Sequence, residues 1–176
     1  MPSLKELIIK GINLACIDLK KYDGALFECP IEPESEVDAR KLHEVCINHR
    51  FSNHLEKYLT EDLEKEIVEK IYFDIEFNRE GEKPKYVKGK LYRPDIIVHN
   101  RKSGEEKKNI LIVECKKADA SCSDIENDRS KIVDFMTDEK YLYQYGLQII
   151  YGEPIKSYFF FKEDDRICCE ELKCQI

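Results

Sequence analysis

Two periods of hydrophobic patterning divide this chain, a helical one in the first third and a strand-like one through much of the rest. Ser3 followed by Glu6 reads as a capping box that opens an amphipathic helix running towards Gly24, a terminator. Residues 25–35, ALFECPIEPES, form a proline-bearing connector. Ser35 with Asp38 then begins a second helix through Thr60. Its inner line is Val37, Phe51, Leu55, Tyr58 and Leu59, widened by Leu42, Val45 and Cys46. A third, short helix is expected from residue 60 to about 69.

The pattern changes at residues 71–78, IYFDIEFN, where Ile71, Phe73, Ile75 and Phe77 alternate strictly with polar partners and predict a strand with one buried face. Two β-branched runs follow, DIIVHN and NILIV, separated by the polar segment RKSGEEKK, and these predict an antiparallel hairpin. Residues 124–145 read as helical with a break near Thr137 and a stop at Gly146. Strands are then expected in LQIIYG, IKSYFFFK and RICCEELK. No repeat or internal boundary interrupts the order.

Composition narrows the classes. At 176 residues, 42% of them hydrophobic and 37% charged, the chain has the length of one domain with a real core. No apolar run reaches the ~20 residues of a membrane span. Glu6 and Asp18 interrupt what would be a signal-peptide core, so a cytoplasmic protein with reduced thiols is expected among the eight cysteines. None of these cysteines shows the paired spacing of a zinc site, and Cys46 with His49 and His54 lacks a second pair. His43, His49, His54 and His99 are read as packing or surface residues.

The net charge of −7 argues against a surface that coats nucleic acid indiscriminately. Residues 79–93 are the exception: Arg79, Lys83, Lys85, Lys88, Lys90 and Arg93 against Glu80 and Glu82 give +4, which leaves −11 for the remainder. With Tyr86 and Tyr92 interleaved, that stretch could track a phosphate backbone, or it is a solvated loop.

Chemistry concentrates at the hairpin. Asp95 opens its first strand, Glu114 and Lys116 close its second, and the turn falls midway between them, so the three should lie side by side. Alternation puts Glu114 and Lys116 on one face and Cys115 on the other. Two neighbouring carboxylates repel unless a cation lies between them, and an oxygen-seeking Mg2+ or Mn2+ is the usual solution. A lysine beside them can orient or deprotonate a water that attacks phosphorus.

Arg93-Pro94-Asp95 and Glu114-Cys115-Lys116 after NILIV resemble the PD-(D/E)XK nuclease superfamily, and DIEFNR, RPDIIVH and NILIVECKK with Asp128 and Lys131 are similar to a group of small microbial members. The resemblance implies an α/β fold with a restriction-endonuclease-like αβββαβ core over residues 36–162. That core is a mixed central sheet flanked by helices, with an N-terminal helical extension over 1–35 and a C-terminal strand or tail over 163–176. It implies Asp95 and Glu114 as metal ligands, Lys116 as the residue that positions or activates water, and Mg2+ or Mn2+ as cofactor. Glu44 is the candidate for a further acid on the first core helix, since Glu44 and Asn48 continue the Phe51 and Leu55 line; the alternative rotation leaves Glu44 solvated. Lys85, Lys88, Lys90, Arg93 and Arg79 are the candidate nucleic-acid contacts, and Asn48, Lys131 and Gln144 the candidates for a supporting layer. Asp128 and Lys131 form a local ion pair, or else Lys131 faces phosphate.

The expected function is thus Mg2+-dependent hydrolysis of phosphodiester bonds in DNA, with RNA second. The rival is a catalytically silent nuclease-fold module that binds nucleic acid or a protein partner; the partners to expect are nucleic acid, with a protein partner or a homodimer second. A third reading is an interaction module with no nucleic-acid role. No membrane partner is expected.

Overall fold

The computed structural model describes residues 2–26, 44–76, 79–80, 83–84 and 86–173, and of residues 79, 80, 83 and 84 the backbone alone. Helix α1, Leu4–Asp23, begins where Ser3 Oγ accepts from Glu6 N and Glu6 returns a carboxylate to Ser3 N at 2.7 Å. Its inner line of Ile8, Ile12, Ala15 and Leu19 is fully buried against helix α2, Glu44–Ile67. The two helices approach closely at Gly11, where an added Cβ would stand 2.2 Å from Leu59 Cδ2. The expected start of α2 at Ser35 lies outside the described residues, as does most of the connector. The expected break at Thr60 is corrected: α2 is continuous, because Leu59 and Leu63 prolong its buried line and Thr60 Oγ1 satisfies itself on Glu56 O at 2.7 Å.

The chain then forms strand β1 (Tyr72–Ile75), four two-residue strands, β2 (Arg79–Glu80), β3 (Lys83–Pro84), β4 (Tyr86–Val87) and β5 (Lys90–Leu91), and the hairpin β6 (Ile96–His99) with β7 (Asn109–Lys117). Helix α3 (Cys122–Thr137) and strands β8 (Tyr145–Tyr151), β9 (Lys156–Glu163) and β10 (Arg166–Leu172) complete it. The main sheet has six strands in the order β1-β6-β7-β8-β9-β10. All neighbours are antiparallel except β7 and β8, which run parallel and are joined through α3. The fold is therefore mixed α/β.

The sheet separates two apolar layers. Val113 and Cys115 of β7 pack with α1 and α2, whereas Ile97 and Ile112 pack with Ile132, Phe135 and Met136 of α3. A strand covered on both faces reads as an unbroken apolar run, which is what NILIV is. β1 is an edge strand whose four residues are all half-buried; on the expected inner face Ile71 is buried and Phe73 packs against the core, and residues 77 and 78 lie outside the described set. Asp74 of β1 is held by His99 Nε2 and Arg101 Nε, each at 2.8 Å.

Helix α3 ends at Thr137, not near 145, and the expected role of Gly146 as a helix stop is corrected. Gly146 sits inside β8, where a Cβ would lie 2.2 Å from Ile132 Cγ2, so it lets α3 press onto the sheet. The intervening Tyr141 and Tyr143 turn inward around Phe135. Among the described residues no helix is long and apolar enough to cross a membrane.

Candidate functional site

The register Ile96↔Val113 places Asp95, one residue before β6, beside Glu114 of β7. Asp95 Oδ2 accepts from Cys115 N at 2.7 Å, which anchors the carboxylate across the strand pair. Because Val113 and Cys115 face α1 and α2, alternation turns Glu114 and Lys116 to the face covered by α3.

α3 delivers Asp128 and Lys131 onto that face, and the first turn of α2 delivers Glu44 to the end of β7. Lys131 Nζ lies 3.0 Å from Glu114 Oε2 and 2.9 Å from Asp128 Oδ1. Lys116 Nζ lies 3.0 Å from Asp128 Oδ2, 3.5 Å from Glu44 Oε1 and 3.1 Å from its neighbour's carbonyl, Cys115 O. Asp128 thus bridges two ammonium groups, one on each oxygen. Among the described residues, four carboxylates (Asp95, Glu114, Asp128 and Glu44) surround two lysines.

For Asp95 and Glu114, burial comes first and neighbouring polar and charged groups second in setting the direction of the shift. Burial, reinforced by the Asp95 charge, lifts the Glu114 carboxyl well above the usual carboxylate range. Burial also pushes Asp95 up to about 6, with Glu44 adding to the rise and the Cys115 N–H and Lys116 opposing it. For Lys116 and Lys131 burial disfavours charge, but the facing carboxylates outweigh it and both ammonium groups are held above the normal lysine range. Glu114 is 1% exposed, and its Oε1 has no hydrogen-bond partner. A buried carboxylate oxygen in that condition is costly unless a cation or donor meets it.

On the far side of Glu114, its β8 neighbour Gln148 is fully buried and takes a hydrogen bond from Arg129 Nε at 3.0 Å while donating to Ile125 O at 2.8 Å. The Arg129 guanidinium lies over Tyr158, the β9 partner of Gln148, at 4.8 Å. This row pins the first turns of α3 over the sheet beside the acids.

Two of the expected supporting residues are corrected. Gln144 sits before β8, where its N–H donates to Asn109 O at the start of β7. Glu114 is five residues further along that strand, roughly 16 Å away. Gln148 occupies the position beside the acid instead. Asn48 is buried on the opposite face, under Tyr151, whose hydroxyl donates to Asn48 Oδ1 at 3.0 Å. Lys131, by contrast, is inside the pocket, and its partner Asp128 is a pocket residue that sequence reasoning treated only as a local ion pair.

The basic segment is partly taken up by ion pairs. Lys85 and the side chain of Arg79 lie outside the described residues. Of the candidate nucleic-acid contacts, Lys88 Nζ meets Asp134 Oδ1 of α3 at 2.6 Å and Arg93 pairs with Glu76 at 3.3 Å, each with its side chain more than half exposed. Val87 is buried in the α3 layer, and the Tyr92 hydroxyl donates to Asp134 at 3.2 Å, which makes the described part a strap along α3. Lys90 is exposed. Among the described residues no group of three or more His, Cys, Asp or Glu side chains stands in position to hold a metal ion.

A scan against protein-family models and searches of curated proteins and of solved structures found no match to the chain.

Proposed function

We propose that the chain is a divalent-metal-dependent nuclease of PD-(D/E)XK type, with a restriction-endonuclease-like core, acting on DNA in preference to RNA. The observation that carries this reading is the buried Glu114 oxygen left without a partner beside Asp95, in a pocket where carboxylates outnumber ammonium groups. The donor set, all carboxylate oxygen, fits Mg2+ or Mn2+. Asp95 and Glu114 would hold the ion, with Glu44 at the open end of β7 as a further acid. Such an ion supplies Lewis acidity towards a phosphoryl oxygen and neutralises charge that develops there.

The chain's own groups do the remainder. Lys116 is held ionised by Asp128 and Glu44, so it serves as a hydrogen-bond donor that orients a water or a phosphate oxygen, not as a resting base. Asp128 fixes both lysines, and the Cys115 N–H fixes Asp95. The test is cleavage of duplex, single-stranded and RNA substrates with Mg2+ or Mn2+, by wild type and by Lys116→Ala, in preparations freed of contaminating nucleases. Metal-dependent cleavage lost in the variant supports the reading; no cleavage of any substrate by wild type overturns it.

A second reading has its own observation. Among the described residues of the basic segment, Lys88 and Arg93 are engaged with Asp134 and Glu76, which lowers the positive charge they offer to phosphate. This favours a catalytically silent module that engages nucleic acid or a protein through a partner.

A further inference from the structure

The two pocket lysines are not equivalent. Lys116 touches Asp128, Glu44 and a carbonyl; Lys131 makes the ion pair to Glu114. Lys131 also holds Asp128 Oδ1 on its own helix at 2.9 Å, a contact it can keep when the one to Glu114 is given up. Its side chain is 25% exposed while those of Glu114 and Asp128 are 1% and 3% exposed, so it has room to withdraw towards solvent and they do not. A buried carboxylate stripped of its counter-ion is strongly destabilising, which gives a metal-free protein reason to keep a cation of its own at Glu114.

We propose that Lys131 is a tethered counter-ion that occupies Glu114 in the metal-free protein and yields that place to an incoming divalent cation by withdrawing onto Asp128. The inference rests on the metal-binding reading of Asp95 and Glu114. Metal binding is then an exchange of cations at Glu114, and the protein's stability in the absence of metal is obtained at the expense of metal affinity. Glu114 Oε1 has no hydrogen-bond partner while Lys131 holds Oε2, so Glu114 would keep acceptor capacity for a cation beyond the one lysine it meets.

The experiment measures Mn2+ binding by calorimetry, and thermal unfolding in EDTA and in Mn2+, for wild type, Lys131→Met and Lys131→Gln. Lys116→Met is the control, since it removes the same unit charge from the same pocket without touching Glu114. Exchange requires the Lys131 variants to bind Mn2+ about tenfold more tightly than wild type, by more than the control does, and to gain more Tm from Mn2+. In EDTA their Tm should be lower than that of wild type. Should Lys131→Met fail to fold in EDTA, recovery of the folded state on adding Mn2+ counts for the exchange and failure to recover counts against it, with Lys131→Gln keeping a neutral donor on Glu114. Mn2+ binding by wild type with unchanged or weaker affinity in the Lys131 variants overturns the exchange alone. Absence of Mn2+ binding in wild type and every variant overturns the metal reading as well.

Discussion

Buried acids occur in two regions of this molecule, and they are treated in opposite ways. Between α1 and α2, Asp18 is met by Lys57 at 2.7 Å and by the Tyr58 hydroxyl at 2.6 Å, and Asp23 by Arg50 at 2.7 Å and His54 at 2.8 Å. The Lys57 and Tyr58 hydrogen bonds hold Asp18 below its usual range; at Asp23 burial opposes ionisation, but His54 and Arg50 prevail. On the α3 face, Asp95 and Glu114 are shifted upward, and one oxygen of Glu114 is unmet. The first cluster is complete as it stands and ties two helices together. The second, among the described residues, leaves a buried carboxylate oxygen without a partner.

The largest expected effect that would sharpen this contrast is on catalysis. Lys116→Ala should lower cleavage by about a thousandfold, as loss of a positioned donor does, with the circular dichroism of the native fold retained. An equally large loss from Asp23→Ala would break the contrast, because that acid should matter to folding alone. Asp23→Ala is instead expected to cost about 2 kcal/mol in chemical denaturation, since it leaves the His54 and Arg50 donors unpaired in a half-buried setting.

The pH dependence of stability should have opposite signs in the two regions. Asp18 and Asp23 have folded pKa values below the unfolded value of about 3.9, and Asp74 of β1, outside both regions, behaves as they do because His99 and Arg101 hold it down against its burial. Their stabilisation is present above that pH and is lost as pH falls through their folded values. Asp95 has a folded pKa of about 6, so its contribution becomes unfavourable as pH rises from about 4 through 6 in metal-free protein. Asp74→Asn should flatten the acid limb of a Tm-against-pH curve and Asp95→Asn the limb between pH 4 and 6. Equal slopes for wild type and Asp95→Asn above pH 4 would show that Asp95 is not shifted upward.

Much of this was legible in the sequence where a local rule governs. The Ser3–Glu6 box, the β6–β7 hairpin and the alternation of Glu114, Cys115 and Lys116 follow from spacing alone. What failed depends on tertiary register. Gln148 adjoins Glu114 because the β7–β8 pairing is parallel and set by the α3 crossover, and no pattern within residues 144–151 carries that offset. Asp128 with Lys131 looks like any pair one helical turn apart until the helix is laid on the sheet. Gly146 resembles a helix stop in sequence, and its reason for being there is the nearby Ile132. The ion pairs of the basic run are not legible within it, because its partners Glu76 and Asp134 lie outside it.

The smallest expected effects belong to that strap. Lys88→Gln should destabilise by under about 1 kcal/mol, as exposed ion pairs do, and leave the salt dependence of nucleic-acid binding unchanged. Lys90→Gln should lower the log-log salt slope by roughly one unit if the exposed Lys90 meets a phosphate. A lowered slope for Lys88→Gln and none for Lys90→Gln would reverse the assignment of bound and free cations.

Calorimetric titration of Mn2+ into wild type and into the Asp95→Asn, Glu114→Gln double variant tests the contrast between complete and incomplete acid clusters most directly. One Mn2+ per chain in wild type, lost in the double variant while the fold persists, is the expected result. Equal binding by both proteins, or none by wild type, would contradict it.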